Sequence, residues 1–537
     1  MKQRIVVVGN GMVGHKFLER IIASGTEANL AVFCEEPRPA YDRVHLSEFF
    51  AGKSAADLSL VAEGFFEGNG IELHLDDKAV AIDREQKIVR SAQGREISYD
   101  KLVLATGSYP FVPPLPGKER PGCFVYRTIE DLEAIDAAGR AGKIGVVVGG
   151  GLLGLEAAKA LKDLGLEVHV VEFAPRLMAV QVDDGGGRVL RQKIEQLGVR
   201  VHTGKNTLEI VDGENCRHKM KFADGSALET DVILFSAGIR PRDELARISG
   251  LEVGERGGIK VNDRCQTSDP DIYAIGECAL WGGKIYGLVA PGYQMAMTAA
   301  DHALRGEGEA FTGADMSTKL KLLGVDVASV GDAHAVTPGS RTYAFSDEVK
   351  QVYKKLVVSE DHKFLLGAVL VGEAEEYGTL LQMTLNRMEL PQHPEDLILP
   401  RRDSGGEKGG GIGVGALPAA AQICSCNNVS KGAICSAIDS GCVTLGDLKK
   451  KTKAATSCGG CGPLVTQILK YELASRGMAV NNHLCEHFAY TRQDLYNIVR
   501  VEKIKTFDEL LDRHGKGKGF NICKPTVGSI LATCWNE

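Results

Sequence analysis

Two glycine fingerprints about 140 residues apart, with paired cysteines behind a glycine-rich stretch, predict an α/β fold. The expected architecture is two Rossmann-like dinucleotide-binding domains, a small α+β domain and a C-terminal tail of two small helical modules. The first fingerprint, Gly9-Asn-Gly11-Met-Val-Gly14, follows the strand-like run Arg4 to Val8. The second, Gly149-Gly-Gly151-Leu-Leu-Gly154, follows Ile144 to Val148. Glycine has no Cβ, so the backbone of such a turn can approach a pyrophosphate at a helix N-terminus. Two dinucleotides in one chain point to a flavin facing a nicotinamide, and the cysteines are the expected next stop for the electrons.

The bulk composition narrows the partners. The 537 residues suffice for roughly three to four domains. With 44% hydrophobic and 25% charged residues and a net charge of −7, neither nucleic acid nor an anionic membrane is an expected partner. The N-terminus runs from Met1 directly into a strand and a glycine loop, unlike a signal peptide, and no apolar run reaches the roughly 18 residues of a membrane span. Fourteen cysteines without a secretion signal point to a reducing, cytoplasmic setting and to metal or redox use.

Residues 1–115 read as β-α-β with extra strands. A helix from Val13 to Ser24 leads to a strand, Leu30 to Phe33, ending at Glu35 and Glu36. An acid about 20 residues past the last glycine is the expected acceptor from a ribose 2′-OH. Lys101 to Ala105 is a buried strand, closed by Thr106 and the tight turn at Gly107. Residues 116–240 repeat the plan, with a helix from Leu152 to Leu164, a strand from Glu167 to Val171, the acid Glu172, and a second strand-to-glycine run from Val232 to Gly238. A carboxylate at Glu172 accepts from the 2′-OH of NADH and repels the 2′-phosphate of NADPH, a preference that Arg176 would soften. Residues 241–310 return to the first domain and carry Gly276-Glu277 after a short buried strand. Arg43 and Arg127 are candidates for a guanidinium at a pyrophosphate. Residues 311–400 form the small α+β domain, with strands at Leu320 to Leu323, Lys354 to Val358 and Phe364 to Val371.

Residues 401–420 read as a linker, because seven glycines between Gly405 and Gly415 do not hold a packed element. The tail then repeats itself. The segment at Ile423-Cys-Ser-Cys426 pairs with Leu484-Cys-Glu-His487, and Cys458-Gly-Gly-Cys461 pairs with Phe520-Asn-Ile-Cys523, about 60 residues on. The modules are residues 421–475 and 482–537. Cys424, Cys426, Cys458 and Cys461 are four thiolates in two close pairs, which suit zinc or an iron–sulfur cluster. Attachment to a flavin dehydrogenase favours the redox-active choice. Cys435 and Cys442 read as packed thiols. In the second copy Cys485, His487, Cys523 and Cys534 are the available ligands, and the expectation is a degenerate copy. No cysteine falls within residues 37–60 or 124–215, so thiol–disulfide chemistry at the flavin is not expected.

On these residues the chain resembles the large subunit of assimilatory NAD(P)H nitrite reductase. The resemblance runs through Ile5 to His15, Glu35 to Ser47, Thr318 to Gly331, Cys485 to Leu495 and His514-Gly-Lys-Gly517. It implies a pyridine nucleotide-disulfide oxidoreductase-like fold and a first tail module similar to bacterioferritin-associated-ferredoxin-like (BFD-like) [2Fe–2S] domains, with Cys424, Cys426, Cys458 and Cys461 as cluster ligands. Residues 1–115 and 241–310 would then bind FAD, through Gly9, Gly11, Gly14, Glu36, Arg43 and Glu277, with Thr106, Gly107, Arg127 and Gly276 beside them. Residues 116–240 would bind NADH, through Gly149, Gly151, Gly154 and Glu172, with Gly238 beside them. Relatives continue into a half that carries sirohaem and a [4Fe–4S] cluster. Here the sequence stops at Glu537, so that half is expected in a partner or in a continuation of the chain. Phe520 stands where relatives have a cysteine.

The resulting expectation is an FAD/iron–sulfur oxidoreductase that passes electrons from NADH through FAD and [2Fe–2S] to a sirohaem nitrite reductase domain or subunit. The linker would let the cluster module swing between flavin and acceptor. A small Rieske-type subunit and a homodimer are further expected partners. The alternatives are an electron-transfer subunit of assimilatory nitrate reductase, a non-redox metal-binding protein with a vestigial flavin fold, and an oxygen- or peroxide-reducing NADH oxidase.

Overall fold

The computed structural model describes residues 2–399, 414–424, 427–456, 459–478, 487–516 and 523–535. Cys426, Cys458, Cys485, Phe520 and residues 400–413 of the expected linker lie outside them.

Two five-stranded parallel sheets form the two dinucleotide domains. The first runs Ile272–Ala274, Lys101–Leu104, Gln3–Val8, Ala28–Phe33, Glu72–His74. The second runs Val199–His202, Glu167–Val171, Ile144–Val148, Val232–Phe235, Cys123–Val125. In each, the central strand carries the fingerprint. Ile5 to Val7 and Val146 to Val147 are 0% exposed, because both faces of each sheet are covered and its strands read as unbroken apolar runs; in the second sheet helices pack on the Val147 and Leu234 face and an antiparallel meander on the Val146 and Ile233 face. An antiparallel three-stranded meander precedes the return strand of each domain, at Ala79–Ser98 and Thr207–Thr230. The chain leaves the first domain at Ser108–Pro110 and re-enters it at Ile239–Pro241, and these two segments pair with each other as an antiparallel ribbon.

The small domain is an antiparallel sheet in the order Thr318–Leu322, Val325–Gly331, Leu365–Gly372, Val352–Val358, Arg341–Asp347. The sequence reading marks three of these strands. Arg341–Asp347 is an edge strand that is mostly exposed, with only Tyr343 and Phe345 packed on the core, a short two-residue alternation among polar neighbours. The Tyr377–Leu385 helix covers one face and the Asp184–Gln196 helix of the second dinucleotide domain covers the other. Gly185 and Gly186 permit that approach. A Cβ on Gly185 would lie 2.5 Å from the Tyr353 ring, and one on Gly186 would lie 3.2 Å from Val369 and Val371. Asp183 caps the helix at the Gly186 N–H (3.1 Å) and also accepts from the Tyr353 hydroxyl (2.9 Å) and the buried Lys355 ammonium (2.5 Å).

Among the described residues, packing of the first tail module already includes residues ahead of Ala421: Val414 packs against its core, and Leu417 is 6% exposed within it. That module has helices Lys431–Asp439, Leu445–Thr452 and Gly462–Ser475, and the second has Arg492–Glu502, Phe507–His514 and Cys523–Trp535. Matching caps underlie the repeat. Ser430 and Thr491 each cap the first helix of their module, and Thr444 and Thr506 each cap the second. Among the described residues no helix is long and apolar enough to cross a membrane.

Truncating Asp183 to Ala strips the buried Lys355 of its counter-charge. The expected loss is about 3 kcal/mol in chemical denaturation, the usual scale for breaking one partner of a buried pair. A loss under about 0.5 kcal/mol, the surface-substitution scale, would show that this contact does not hold the small domain on its neighbour.

Candidate functional site

Each fingerprint is a cradle shaped by missing side chains. Gly9 (φ +104°) and Gly149 (φ +119°) adopt backbone geometry that favours glycine. A Cβ on Gly9 would collide with the Ala105 carbonyl, and one on Gly149 with the Ser236 carbonyl. Gly14 and Gly154 play the third role, since a Cβ there would strike the carbonyl of Gly9 or Gly149. Gly11 and Gly151 differ: nothing lies within 4 Å of a Cβ built on either. Both are helix N-caps without a side-chain cap, so the first-turn N–H groups face open space. That combination fits an anionic pyrophosphate at each helix start.

The charged candidates of the first domain come together in a line. Glu36 accepts from the Tyr41 hydroxyl at 2.8 Å and pairs with Arg43. The Arg43 guanidinium also donates to the Arg127 carbonyl at 2.9 Å. Arg127 in turn pairs with Glu277 at 2.7 Å, and the Ser108 hydroxyl donates to the same carboxylate oxygen at 2.7 Å. This line joins Glu36, the acid expected at a ribose, to Glu277 beside Gly276, whose φ is +77°. Gly107 (φ +69°) sits against Arg127, a Cβ there lying 3.9 Å from Nη2. Thr106 spends its hydroxyl proton on the Arg242 carbonyl at 2.6 Å, which leaves its oxygen only as an acceptor. Glu35 pairs with Arg242 (2.5 Å) and Lys78 (3.2 Å) on the surface, leaving Glu36 as the acid of the site.

In the second domain Glu172 accepts from the Gly150 N–H at 2.5 Å and the Ala174 N–H at 2.6 Å. Arg176 turns away, to Asp184 (2.5 Å) and the Val182 carbonyl (3.0 Å), so it does not soften the Glu172 charge. Gly238 (φ +106°) has open space where a Cβ would stand. The ribbon ties the two sites together, with Phe111 N–H on the Gly238 carbonyl (2.8 Å) and Arg242 N–H on the Gly107 carbonyl (2.9 Å). The C-terminal ends of both parallel sheets, where ligands of such sheets bind, are thereby joined.

Three residues escape the sequence reading. Asn10, between the first two glycines, is 4% exposed with both amide atoms unpartnered, which marks it as a further ligand-facing group. The available signal was the contrast with Gly150 at the matching place in the second fingerprint. Ser108 shares the Glu277 carboxylate. Glu156, on the second fingerprint helix, is a carboxyl that burial pushes up to about 7, opposed by the charge of nearby His45. Asp42 holds that imidazole at 2.7 Å, and this hydrogen bond raises its pKa.

In the tail, Cys424 and Cys461 are brought together across the module. Cys424 is 2% exposed, yet its thiol falls to about 6, chiefly through the hydrogen bond with Cys461. Burial alone acts the other way, as at Cys34, which it pushes up to about 11. A buried, acidified thiol is the donor chemistry that a metal cluster needs, so these residues fit the expected group. Cys442 is buried and Cys435 half-buried within the same module. In the second module Cys523 Sγ lies 3.9 Å from His487 Nδ1.

Because the folded Glu156 carboxyl titrates above its unfolded counterpart, its protonation favours folding at low pH, and that contribution fades as pH rises through about 7. Glu156→Gln is therefore expected to raise stability by about 1–2 kcal/mol at pH 8 and to give no gain at pH 4, in denaturant melts across that range. An equal gain at both pH values would rule out the titration.

Residues 3–303 match the family described as pyridine nucleotide-disulphide oxidoreductase, residues 317–387 the rubredoxin NAD+ reductase C-terminal domain, and residues 422–471 the BFD-like [2Fe-2S] binding domain. The chain is similar to the nitrite reductase (NADH) large subunit of Escherichia coli (strain K12), with 60% identity over all of this chain and 63% of that protein. It is 59% identical to the nitrite reductase [NAD(P)H] large subunit of Klebsiella oxytoca, over all of this chain and 56% of that one. The chain thus spans about three fifths of the length of these relatives. Among solved structures, the ferredoxin reductase for the CYP199A2 system from Rhodopseudomonas palustris superimposes with a TM-score of 0.66 at 26% identity, covering 74% of this chain and 97% of that one. The matched families imply a flavin- and NADH-dependent oxidoreductase with a [2Fe–2S] module, in keeping with the paired glycine cradles and the Cys424–Cys461 contact, and the chain is a member of the pyridine nucleotide-disulphide oxidoreductase family.

Proposed function

We propose that this chain is the electron-supplying part of an NADH nitrite reductase, taking electrons from NADH and delivering them through its BFD-like module to a sirohaem-bearing nitrite-reducing half or subunit. The observation that carries the reading is the ribbon between Ser108–Pro110 and Ile239–Pro241, which joins the two nucleotide cradles at their ligand-binding ends. Identity of 60% along the whole chain to a nitrite reductase large subunit supports the same destination. FAD, when bound, supplies a two-electron acceptor that can release electrons one at a time.

The protein's own residues do the positioning. The uncapped N–H groups after Gly11 and Gly151 hold the two pyrophosphates, and Glu36 and Glu172 hold the riboses. Arg43 and Arg127 neutralise charge between them, each already fixed by a carboxylate. Cys424 and Cys461, completed by Cys426 and Cys458, hold the cluster. A reducing cytoplasmic setting keeps such thiols available. A small Rieske-type subunit and a second copy of this chain are the further partners to seek by copurification.

An anaerobic NADH titration of the full chain, followed by visible absorbance, is expected to take up about three electrons, two by FAD and one by the cluster. Cys424→Ser is expected to take up about two. Uptake of two by the parent chain would remove the cluster from the reading, and about four would place a second cluster in residues 482–537. Electron delivery to a molybdenum protein but to no sirohaem protein would move the destination to nitrate reduction.

Glu172→Ala removes the charge that disfavours a 2′-phosphate. The NADH-to-NADPH ratio of kcat/KM is expected to fall about tenfold, equivalent to about 1.4 kcal/mol. An unchanged ratio in steady-state assays would show that Glu172 does not select the nucleotide.

A further inference from the structure

The first tail module is seated on the flavin domain beside the fingerprint helix. Its core continues into that domain: Tyr293 is 5% exposed within the module's apolar cluster, and Met12, Val13, Val289 and Met388 pack against it. Met12 and Val13 directly follow Gly11, and Val289 opens the Val289–Arg305 helix. These two helices meet at Gly276 and Gly292, where Val13 fills the space beside both glycines. The seam therefore lies where two uncapped helix N-termini converge on the flavin cradle.

Polar contacts fix the orientation. Lys16 donates to the Asn427 side-chain oxygen at 3.4 Å, and the Asn427 amide lies 3.9 Å from Cys424 Sγ and 2.7 Å from the Lys453 carbonyl. Gln382 of the small domain donates to the Gln422 carbonyl at 2.7 Å, two residues before Cys424. A cavity of about 280 Å³ remains between Lys16 on one wall and Asn427, Lys453 and Thr456 on the other. Cys424 itself is buried, whereas Cys461 is partly exposed and flanked by the exposed Gly459, Gly460 and Pro463.

We propose that this seated pose is the one in which electrons enter the cluster, by the Cys424–Asn427 side, while the Cys461 side stays open to the acceptor. The module is then a fixed two-sided relay, in place of the swinging arm that the glycine-rich linker suggests. The proposal rests on the electron-relay reading above. Each NADH gives up two electrons and one proton as hydride and leaves as NAD+. The electrons pass singly through the cluster to a one-electron acceptor, and the proton is released at the flavin domain.

Gly378 and Leu464 provide a lock. A Cβ on Gly378 would lie 3.7 Å from the Leu464 Cβ, within the usual disulfide range of about 3.5–4.5 Å. The full-length holoprotein carrying Gly378→Cys and Leu464→Cys is expected to form that disulfide, read by mass spectrometry of unreduced peptides. Once locked, it should keep NADH-driven cluster reduction, followed by EPR and rapid-mixing absorbance, within twofold of its reduced form. Delivery to cytochrome c should be equally unchanged. Absence of the disulfide, or a tenfold loss of cluster reduction on locking, would overturn the proposal. Met388→Glu, which puts a charge into the seam, gives the converse measurement. Flavin bleaching by NADH should be unchanged, cluster reduction should slow at least tenfold, and hydrogen exchange should rise at residues 289–293 and 420–424. Unaltered exchange and unaltered cluster reduction in Met388→Glu would also overturn it. If the parent chain fails to reduce a cluster at all, the electron-relay reading fails instead, and the disulfide result still reports whether the pose exists.

Discussion

The constraint on which both nucleotide domains depend is the approach of each fingerprint-loop backbone to the neighbouring strand. Gly9 rests on the Ala105 carbonyl and Gly149 on the Ser236 carbonyl with no room for one more carbon. That approach drops each fingerprint helix so that its first turn ends in open space. A helix start normally recruits a Ser, Thr or Asp cap, as Thr128 and Asp183 do elsewhere in this chain. At Gly11 and Gly151 there is no side-chain cap, which suits the anion proposed at each helix start. The places of Glu36 and Glu172 follow from the same geometry, because the next parallel strand, ending at Phe33 or Val171, stops beside the loop.

Duplication then turns one site into a reaction path. Two sheets of the same parallel design, each closed by a strand-to-glycine turn, are joined by the ribbon that leaves Gly107 and Gly238. Neither turn tolerates a side chain easily, with φ of +69° and +106°. The line from Glu36 through Arg43 and Arg127 to Glu277 crosses the same region. It draws on four separate stretches of sequence once Ser108 is included, so each guanidinium has at least one partner that is remote in the chain, the Arg127 carbonyl for Arg43 and Glu277 for Arg127.

What could be read from sequence was what the backbone enforces locally. Glycine positions, buried β-branched strands and the acids that follow them are fixed by φ, by the lack of a Cβ and by the parallel pleat, and these signals survive in one sequence. The cysteine pairs carry the same kind of local signature, and half of that set, Cys424 and Cys461, is brought together. Pairwise roles were less legible. Thr106 is a plausible ligand residue by place, yet its hydroxyl proton is taken by the Arg242 carbonyl. Asn10 and Glu156 become conspicuous only when burial is known, because a polar side chain without a partner is invisible in a string of letters. The seam was illegible for a different reason: Met12, Val289 and Met388 look like ordinary core residues, and glycine content upstream of Val414 speaks of the tether rather than of the surfaces it joins.

Tethering also explains how a modest seam can hold a module in place while leaving one side exposed. Residues 400–413 join the small domain covalently to the module, so seating is an intramolecular event. Short tethers give effective concentrations of order millimolar, and an interface with a dissociation constant of about 1 mM is then already half occupied. The buried Tyr293, with Met12, Val13, Val289 and Met388 packed on the module core, adds apolar area to that baseline, a fully buried Val or Met side chain being worth about 1.5–3 kcal/mol. A few such residues shift the balance well toward the seated state. The module therefore has no need of a wide interface, and Cys461 stays half-exposed beside the exposed Gly459, Gly460 and Pro463. Entry on a dry, packed side and exit on a wet one is the arrangement expected of a one-electron relay whose donor is fixed in the same chain and whose acceptor is not.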